Sequence, residues 1–119
     1  MRKPNVLKDK SFAFALKIVS LYKTLQNEYK EFVLSKQVLR SGTAIGAMIR
    51  ESENAASLKD FLNKLTIALK EADETQYWLE LLFQSNYIPD AAYKSLHEDC
   101  SELISILVAS VKTVKEKVI

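Results

Sequence analysis

The sequence predicts an all-α protein, an up-and-down antiparallel four-helix bundle, on three observations. The chain has 119 residues but only 2 glycines and 2 prolines, so few positions favour the turns that a β-sandwich or barrel needs. Apolar residues recur every three or four positions over four long stretches, which is the spacing of one helix face. Short polar segments separate the stretches, and short connections make neighbouring helices antiparallel. We predict one domain, residues 1–119, with helices at about 11–29, 35–55, 57–86 and 89–118.

The first two helices are predicted from a cap, an apolar stripe on each helix, and a pair of glycines. Ser11 can accept a hydrogen bond from the backbone at a helix start. The first stripe comprises Phe12, Ala15, Ile18, Val19, Tyr22 and Leu25. The second stripe comprises Val38, Gly42, Ile45, Ile49 and Ser52. Gly42 and Gly46 are one turn apart, and each glycine costs a helix roughly 1 kcal/mol relative to alanine, so the pair predicts close approach of another helix.

The last two helices have clearer start signals and longer apolar seams. Ser57 and Asp60 resemble a capping box with aspartate in place of glutamate, and Pro89 suits the start of the fourth helix. The third seam comprises Leu58, Phe61, Leu65, Ala68, Ala72, Thr75, Leu79 and Leu82. The fourth comprises Tyr93, Leu96, Cys100, Leu103, Leu107, Val111, Val114 and Val118. Because Cys100 lies in this seam, we expect a buried structural thiol.

Several helices carry apolar residues outside these seams. On the third helix the residues displaced from the seam are Ile67, Tyr77, Trp78 and Leu81, with Glu74 among them. Comparable residues on the other helices are Phe14, Leu21, Ile104, Ile106 and Val108. A monomeric bundle needs one apolar stripe per helix, and a second stripe indicates an interface. We therefore predict a homo-oligomer with Ile67, Glu74, Tyr77, Trp78 and Leu81 as candidate interface residues. The alternative is that neighbouring helices or loops cover these side chains.

No catalytic or metal-binding pattern is evident in the sequence, so we predict no enzymatic activity, cofactor or small-molecule substrate. A di-metal bundle site needs Glu-x-x-His motifs on two helices, but Lys94 stands where that glutamate should precede the single histidine, His97. Glu71 and Glu74 lie one turn apart, but no nucleophile or second histidine accompanies them. We expect His97 at the surface or the core boundary.

The net charge of +2 is small, but the basic residues concentrate at the two ends of the chain. In an up-and-down bundle these ends converge, so the candidate nucleic-acid-binding residues at this pole are Arg2, Lys3, Lys8, Lys10, Lys112, Lys115 and Lys117. Arg40 and Arg50 are further candidates if they line a pore or groove. The alternative is a solvated end that keeps the protein soluble. With one cysteine, no secretory signal and no membrane-spanning stretch, the cytoplasm is the expected location.

Motifs in the second and third helices resemble those of a known family. They are Gln37 to Glu51, Lys59 to Lys64, Ile67 to Ala72, and Glu74 to Leu82. Together they resemble the small proteins encoded within intervening sequences of bacterial 23S ribosomal RNA genes. That family is similar in fold to the accessory variability protein of diversity-generating retroelements, and the resemblance implies a four-helix bundle that assembles as a homopentamer. The residues that match its signature and are expected to pack helices are Arg40, Ser41, Gly42, Ile45, Gly46, Ile49, Glu51, Phe61 and Glu71.

Two functions follow as hypotheses. The first is a non-catalytic homo-oligomeric protein that serves as a scaffold or adaptor for an RNA or protein partner. The second is direct RNA binding through the basic pole that the two terminal segments form. Phosphate contacts dominate such binding, so it should depend strongly on salt.

Overall fold

Four α-helices form the predicted up-and-down bundle in the computed structural model, which describes residues 5–118. The helices are α1 (Val6–Asn27), α2 (Leu34–Ser52), α3 (Leu58–Gln84) and α4 (Asp90–Val118), and no strand occurs within the described range. Each helix packs against the next one along the chain, and a smaller contact between α1 and α4 closes the bundle. The molecule is elongated, with extents of 47 × 24 × 20 Å. The predicted fold class is confirmed.

The start of α1 differs from the prediction. Asn5, not Ser11, caps the helix: its Oδ1 accepts a hydrogen bond from the backbone N–H of Lys8 at 2.9 Å. Ser11 lies buried within α1, and its hydroxyl donates to the carbonyl of Lys8 at 3.1 Å. The prediction was wrong because serine also occurs inside helices when its hydroxyl bonds to a preceding carbonyl. At its other end α1 stops at Asn27, shortly before Lys30 adopts a positive φ of 53°.

The remaining helix boundaries lie close to the predicted ones. The cap at Ser57 is present: its hydroxyl accepts from the N–H of Asp60 at 3.0 Å, and the Asp60 carboxylate accepts from the N–H of Ala56 at 3.1 Å. Asn86 follows α3 with a φ of 67°, and α4 begins directly after Pro89. The largest other difference is that α2 ends at Ser52 rather than near residue 55.

The core confirms most of the predicted seams but corrects the one on α1. From Leu65 to Leu82 on α3 and from Leu96 to Val114 on α4, the seam residues are buried. On α1, however, Phe14 is 1% exposed and belongs to the core, whereas Phe12 is 52% exposed. The prediction was wrong because the buried side of α1 includes the polar residue Ser11, while the outer side carries Phe12. Apolar residues therefore did not distinguish the two sides of the helix. The buried residues of α1 are Leu7, Ser11, Phe14, Ile18 and Leu25.

A glycine and two hydroxyl side chains determine how closely α2 packs against α1 and α3. At Gly42 the two helices α1 and α2 come so close that a Cβ atom would lie 2.8 Å from Cγ1 of Ile18. The hydroxyl of Thr75 donates to the hydroxyl of Ser41 at 2.9 Å, deep between α2 and α3. These two contacts place Ile18, Ser41 and Thr75 at one level along the bundle.

Candidate functional site

The outer side of the α2–α3 pair carries a cluster of charged residues centred on Arg40. Its two terminal nitrogens, Nη1 and Nη2, donate to the two carboxylate oxygens of Glu71, each at 3.2 Å. Nη2 also donates to Oε2 of Glu74, and the indole Nε1 of Trp78 donates to the same oxygen at 3.0 Å. We call Arg40, Glu71, Glu74 and Trp78 the Arg40 cluster. It links α2 to two successive turns of α3.

The Arg40 cluster contains one cation and two carboxylates, so its net charge is negative. Hydrogen bonds to Glu71 and then Glu74 raise the pKa of Arg40. Hydrogen bonds from Trp78 and then Arg40 lower the pKa of Glu74 below its ordinary value of 4.5. Both shifts favour the charged forms at neutral pH. The structure thus places Arg40, a candidate nucleic-acid-binding residue, in contact with two carboxylates that compete with any phosphate.

The five candidate oligomer-interface residues lie on the outer half of α3. Tyr77 is 59% exposed, and its ring packs edge-to-face against Trp78 with centroids 5.0 Å apart. Trp78 is half-buried and contacts the edge of the core, while Ile67 and Leu81 are also half-buried. Glu74 is held in the Arg40 cluster. Neighbouring residues therefore cover part of this surface, but Tyr77 points into solvent.

A second exposed apolar area lies on α1, where the sequence did not locate it. Phe12 and Leu16 are one turn apart and are 52% and 58% exposed. Phe12 borders a groove of about 440 Å³ between α1 and α2, and the guanidinium carbon of Arg50 lies 5.8 Å from its ring centroid. The groove is lined by Lys8, Ser11, Phe12, Ala15, Thr43, Gly46, Ala47, Arg50 and Glu51. The available signal was that α1 holds more apolar residues than one face can bury.

The other residues proposed for a second apolar face have mixed positions. Phe14 is in the core, so its assignment to an outer face was wrong. Leu21, Ile104 and Ile106 are half-buried and pack against the core. Val108 is exposed.

The start of α1, the end of α4 and the α2–α3 connection meet at one end of the bundle. Side chains from all four helices line a cavity of about 420 Å³ there, among them Leu7, Ile49, Phe61 and Val114. Arg2 and Lys3 lie outside the described residues. At this end Nζ of Lys8 is 3.6 Å from Oε1 of Glu53.

Basic residues elsewhere on the predicted pole differ in how they are paired. On the side of the bundle, Nζ of Lys10 is 3.0 Å from Oε2 of Glu102. Three lysines near the end of α4 are exposed and form no ion pair with any residue that the structure describes: Lys112, Lys115 and Lys117. Carboxylates therefore offset Lys8 and Lys10, and among the described residues of the pole the unpaired charge lies on α4.

His97 and Cys100, the single histidine and the single cysteine of the chain, both pack against neighbouring groups of the bundle. Between residues 5 and 118 no three His, Cys, Asp or Glu side chains are grouped so that they could hold a metal ion. His97 is half-buried beside Tyr93, with ring centroids 5.4 Å apart. Burial raises the pKa of the Cys100 thiol to about 12, and its Sγ lies 3.4 Å from the carbonyl oxygen of Ala72. None of the described helices is both long and apolar enough to cross a membrane.

The described residues thus define an all-helical bundle protein in which several polar side chains link one helix to another. The chain belongs to the family described as 23S rRNA-intervening sequence protein, whose pattern matches residues 3–109. It is similar to a protein of unknown function from the S23 ribosomal protein family of Bacteroides thetaiotaomicron, whose crystal structure gives a TM-score of 0.89 at 59% sequence identity. That similarity covers 90% of this chain and 99% of the other. A comparison with curated proteins found no match.

Proposed function

We propose that this chain is a non-catalytic subunit of a homo-oligomer, which serves as a scaffold or adaptor for an RNA or protein partner. The observation that carries the proposal is the exposure of large apolar side chains on the outside of the bundle: Phe12, Leu16 and Tyr77 are each more than half exposed. Exposed apolar areas on a folded protein mark interaction surfaces, and aromatic side chains are frequent anchors in them. The resemblance to the intervening-sequence family supports a pentamer.

The surroundings of the ionisable groups support a role without catalysis. Glu71 and Glu74, the one pair of carboxylates that the sequence singled out, both bind Arg40. A general acid or base needs a pKa near neutrality, whereas these contacts lower the pKa of Glu74. The buried thiol of Cys100 has a raised pKa, which makes it a poor nucleophile. We propose the cytoplasm as the location, because a single reduced cysteine suits it.

The proposal is tested by measuring the native mass of the purified protein at micromolar concentration, by light scattering and by mass spectrometry under native conditions. We expect a homo-oligomer with a mass that is a multiple of the 13.5 kDa chain. Nucleic acid or protein that remains bound after purification is then identified by sequencing and by peptide mass spectrometry. A monomer at these concentrations would contradict the proposal.

A second candidate function is direct RNA binding through the basic pole. The observation in its favour is that Lys112, Lys115 and Lys117 project from the end of α4 without ion pairs to the described residues. Cations at a helix C-terminus also stabilise the helix dipole, which is the simpler explanation for three lysines there. In an oligomer the patches of several subunits would add, and avidity could supply affinity.

A salt titration of RNA binding distinguishes the two candidates. If the pole binds RNA, replacing Lys112, Lys115 and Lys117 by alanine should weaken binding and reduce the dependence of log affinity on log salt by roughly 0.7 for each lost contact to single-stranded RNA. Alanine at Lys30, Lys70 and Lys94 provides a control with the same change in charge. Binding that survives the first substitutions, or that the control weakens equally, contradicts the pole as the binding site.

A further inference from the structure

We propose that copies of this chain associate through two different faces, with the outer side of the α1–α2 pair of one copy against the outer ridge of α3 of the next. The inference rests on the proposed homo-oligomer and names the surfaces that form it. We call the first surface the basic face, which comprises Phe12, Leu16, Lys23, Lys36 and Arg50. We call the second the acidic ridge, which comprises Asp73, Glu74, Tyr77 and Glu80.

The members of the basic face share one side of the bundle. Phe12, Leu16 and Lys23 are spaced four and seven residues apart, so they lie along one stripe of α1. Arg50 reaches over the ring of Phe12 from α2, which shows that the outer stripes of the two helices adjoin. Lys36 lies two heptads before Arg50 on α2, so it falls on nearly the same side.

This face combines exposed apolar groups with uncompensated positive charge. Lys23, Lys36 and Arg50 are exposed and form no ion pair with the residues that the structure describes. Glu51, which also borders the groove, is paired with Lys64 at 3.3 Å. Asp9, one turn before Phe12, reduces the positive charge but does not cancel it.

The acidic ridge has the opposite charge around one large exposed aromatic ring. Asp73, Tyr77 and Glu80 are spaced four and three residues apart and are exposed, so they form a single stripe on α3. Among the described residues neither Asp73 nor Glu80 has an ion-pair partner. Glu74 adds the negative charge of the Arg40 cluster, and Lys70 offsets only part of the total.

The two surfaces also lie at the same height along the bundle. The contacts of Gly42 with Ile18 and of Ser41 with Thr75 define a common level for α1, α2 and α3. At a rise of about 1.5 Å per residue, Leu16 on α1 and Asp73 on α3 both lie about 3 Å from that level toward the same end, and Tyr77 lies about 3 Å from it on the other side.

The charged residues match in height as well. Lys23, Lys36 and Glu80 each lie five residues from their reference position, Ile18, Ser41 or Thr75, and all three are displaced by about 7.5 Å toward the same end. Two parallel copies placed side by side without an axial shift would therefore bring Leu16 level with Asp73, with the Tyr77 ring one turn away, and Glu80 level with the two lysines.

Pairing each face with its own copy is disfavoured by charge. A symmetric contact of the basic face would bring Lys23, Lys36 and Arg50 near their equivalents, and a symmetric contact of the ridge would do the same for Asp73 and Glu80. Like charges opposed across an interface weaken association. Contact between two different faces repeats from copy to copy and closes into a ring when the rotation between subunits allows it.

The experiment exchanges the charges of the two faces and measures native mass. We expect Lys23→Glu with Lys36→Glu to dissociate the assembly to the 13.5 kDa chain at moderate salt, and Asp73→Lys with Glu80→Lys to do the same. A variant with all four substitutions should regain the wild-type mass, because its faces are complementary again. Lys59→Glu with Lys94→Glu, away from both faces, should leave the mass unchanged, and circular dichroism verifies that each variant is helical.

The outcomes separate this inference from the proposed function. A monomeric wild-type protein overturns both. A wild-type oligomer whose mass is unaffected by either pair of substitutions overturns the two faces but leaves the homo-oligomer standing. Dissociation by both pairs without recovery in the fourfold variant also overturns the pairing of the basic face with the acidic ridge.

A second measurement tests the register directly. Leu16→Cys and Asp73→Cys are prepared as separate proteins, and the native Cys100 does not interfere because it is buried. After subunit exchange and mild oxidation, we expect a disulfide-linked dimer in the mixture and not in either protein alone. Cross-linking of Leu16→Cys with itself at the same rate would overturn the assignment, because it indicates a symmetric contact.

Discussion

Both α1 and α3 carry apolar side chains on two sides, but they distribute them differently. In α3 the buried side is an unbroken series from Leu65 to Leu82, and the outer side presents Tyr77 among charged residues. In α1 the buried side includes Ser11, while Phe12 and Leu16 face outward. Apolar content alone therefore does not identify the core side of a helix in this bundle. The contacts of the neighbouring helices decide it.

The difference is largest between Phe12 and Phe14 of α1, which are two residues apart and therefore lie on nearly opposite sides of the helix. We expect Phe14→Ala to lower the free energy of unfolding by about 3–5 kcal/mol, because it removes a buried ring and leaves a cavity. Phe12→Ala should change it by less than about 0.5 kcal/mol, since its ring is half in solvent. Urea denaturation measures both, at a protein concentration low enough that subunits are separate. Equal losses from the two substitutions would contradict the assignment of Phe14 to the buried side of α1 and Phe12 to the exposed side.

A smaller effect is expected where α1 meets α2 at the two glycines. A Cβ at Gly42 would lie 2.8 Å and 2.9 Å from two carbon atoms of the buried Ile18 side chain, whereas one at Gly46 would meet Ser11 Oγ at 3.4 Å. In Gly42→Ala, overpacking should cost about 1–3 kcal/mol of the free energy of unfolding. The gain in helix propensity offsets about 1 kcal/mol of this cost, so the net change should be a loss of stability. Gly46→Ala should stabilise it by about 0.5–1 kcal/mol, because the propensity gain is nearly unopposed. Thermal unfolding of the two variants gives the sign, and a stabilising Gly42→Ala would contradict the close approach.

These two helices also show what the sequence could predict and what it could not. The seams of α2, α3 and α4 were predictable, because their apolar residues keep to steps of three and four. On α1 both sides satisfy that spacing, so the choice between Phe12 and Phe14 depended on the packing of α2 and α4, which no local pattern contains. The Arg40 cluster could not be predicted for the same reason. The partners of Arg40 on α3 are 31 and 34 residues away along the chain. Glu74 and Trp78 were predicted together at an interface, and Arg40 and Glu71 among the signature residues, but no local pattern showed that the four residues contact one another.

The Arg40 cluster should contribute less to stability than either set of core contacts. Arg40→Gln removes the fork that binds Glu71, whose side chain is only 18% exposed. Because the guanidinium itself is half in solvent, we expect a loss below about 1 kcal/mol. A double-mutant cycle with Glu71→Gln measures the coupling, and the surface pair of Asp90 and Lys94, 3.2 Å apart within α4, provides the control with a weaker coupling. A coupling no greater than that of the control pair would show that the cluster is an ordinary surface ion pair.

The smallest effect concerns the titration of Glu74. Its pKa in the folded protein is lowered by hydrogen bonds from Trp78 and Arg40, so the stabilisation is present above the ordinary pKa of 4.5 and is lost as the pH falls through the folded-state value. Glu74→Gln should therefore be less stable than the wild type at pH 7, and the difference should shrink as the pH falls below 4.5. Trp78 is the single tryptophan of the chain and donates its Nε1 proton to this carboxylate, so its fluorescence reports the titration directly. Fluorescence that is independent of pH in this range would contradict the hydrogen bond. Persistence of the change in Glu74→Gln would instead assign it to another carboxylate near the ring.

Trp78 also lies beside the acidic ridge, so its fluorescence can be measured at neutral pH as the protein is diluted. A change on dilution would indicate that a second copy covers Tyr77 in the assembly. The measurement thus connects α3 with the proposed association with α1.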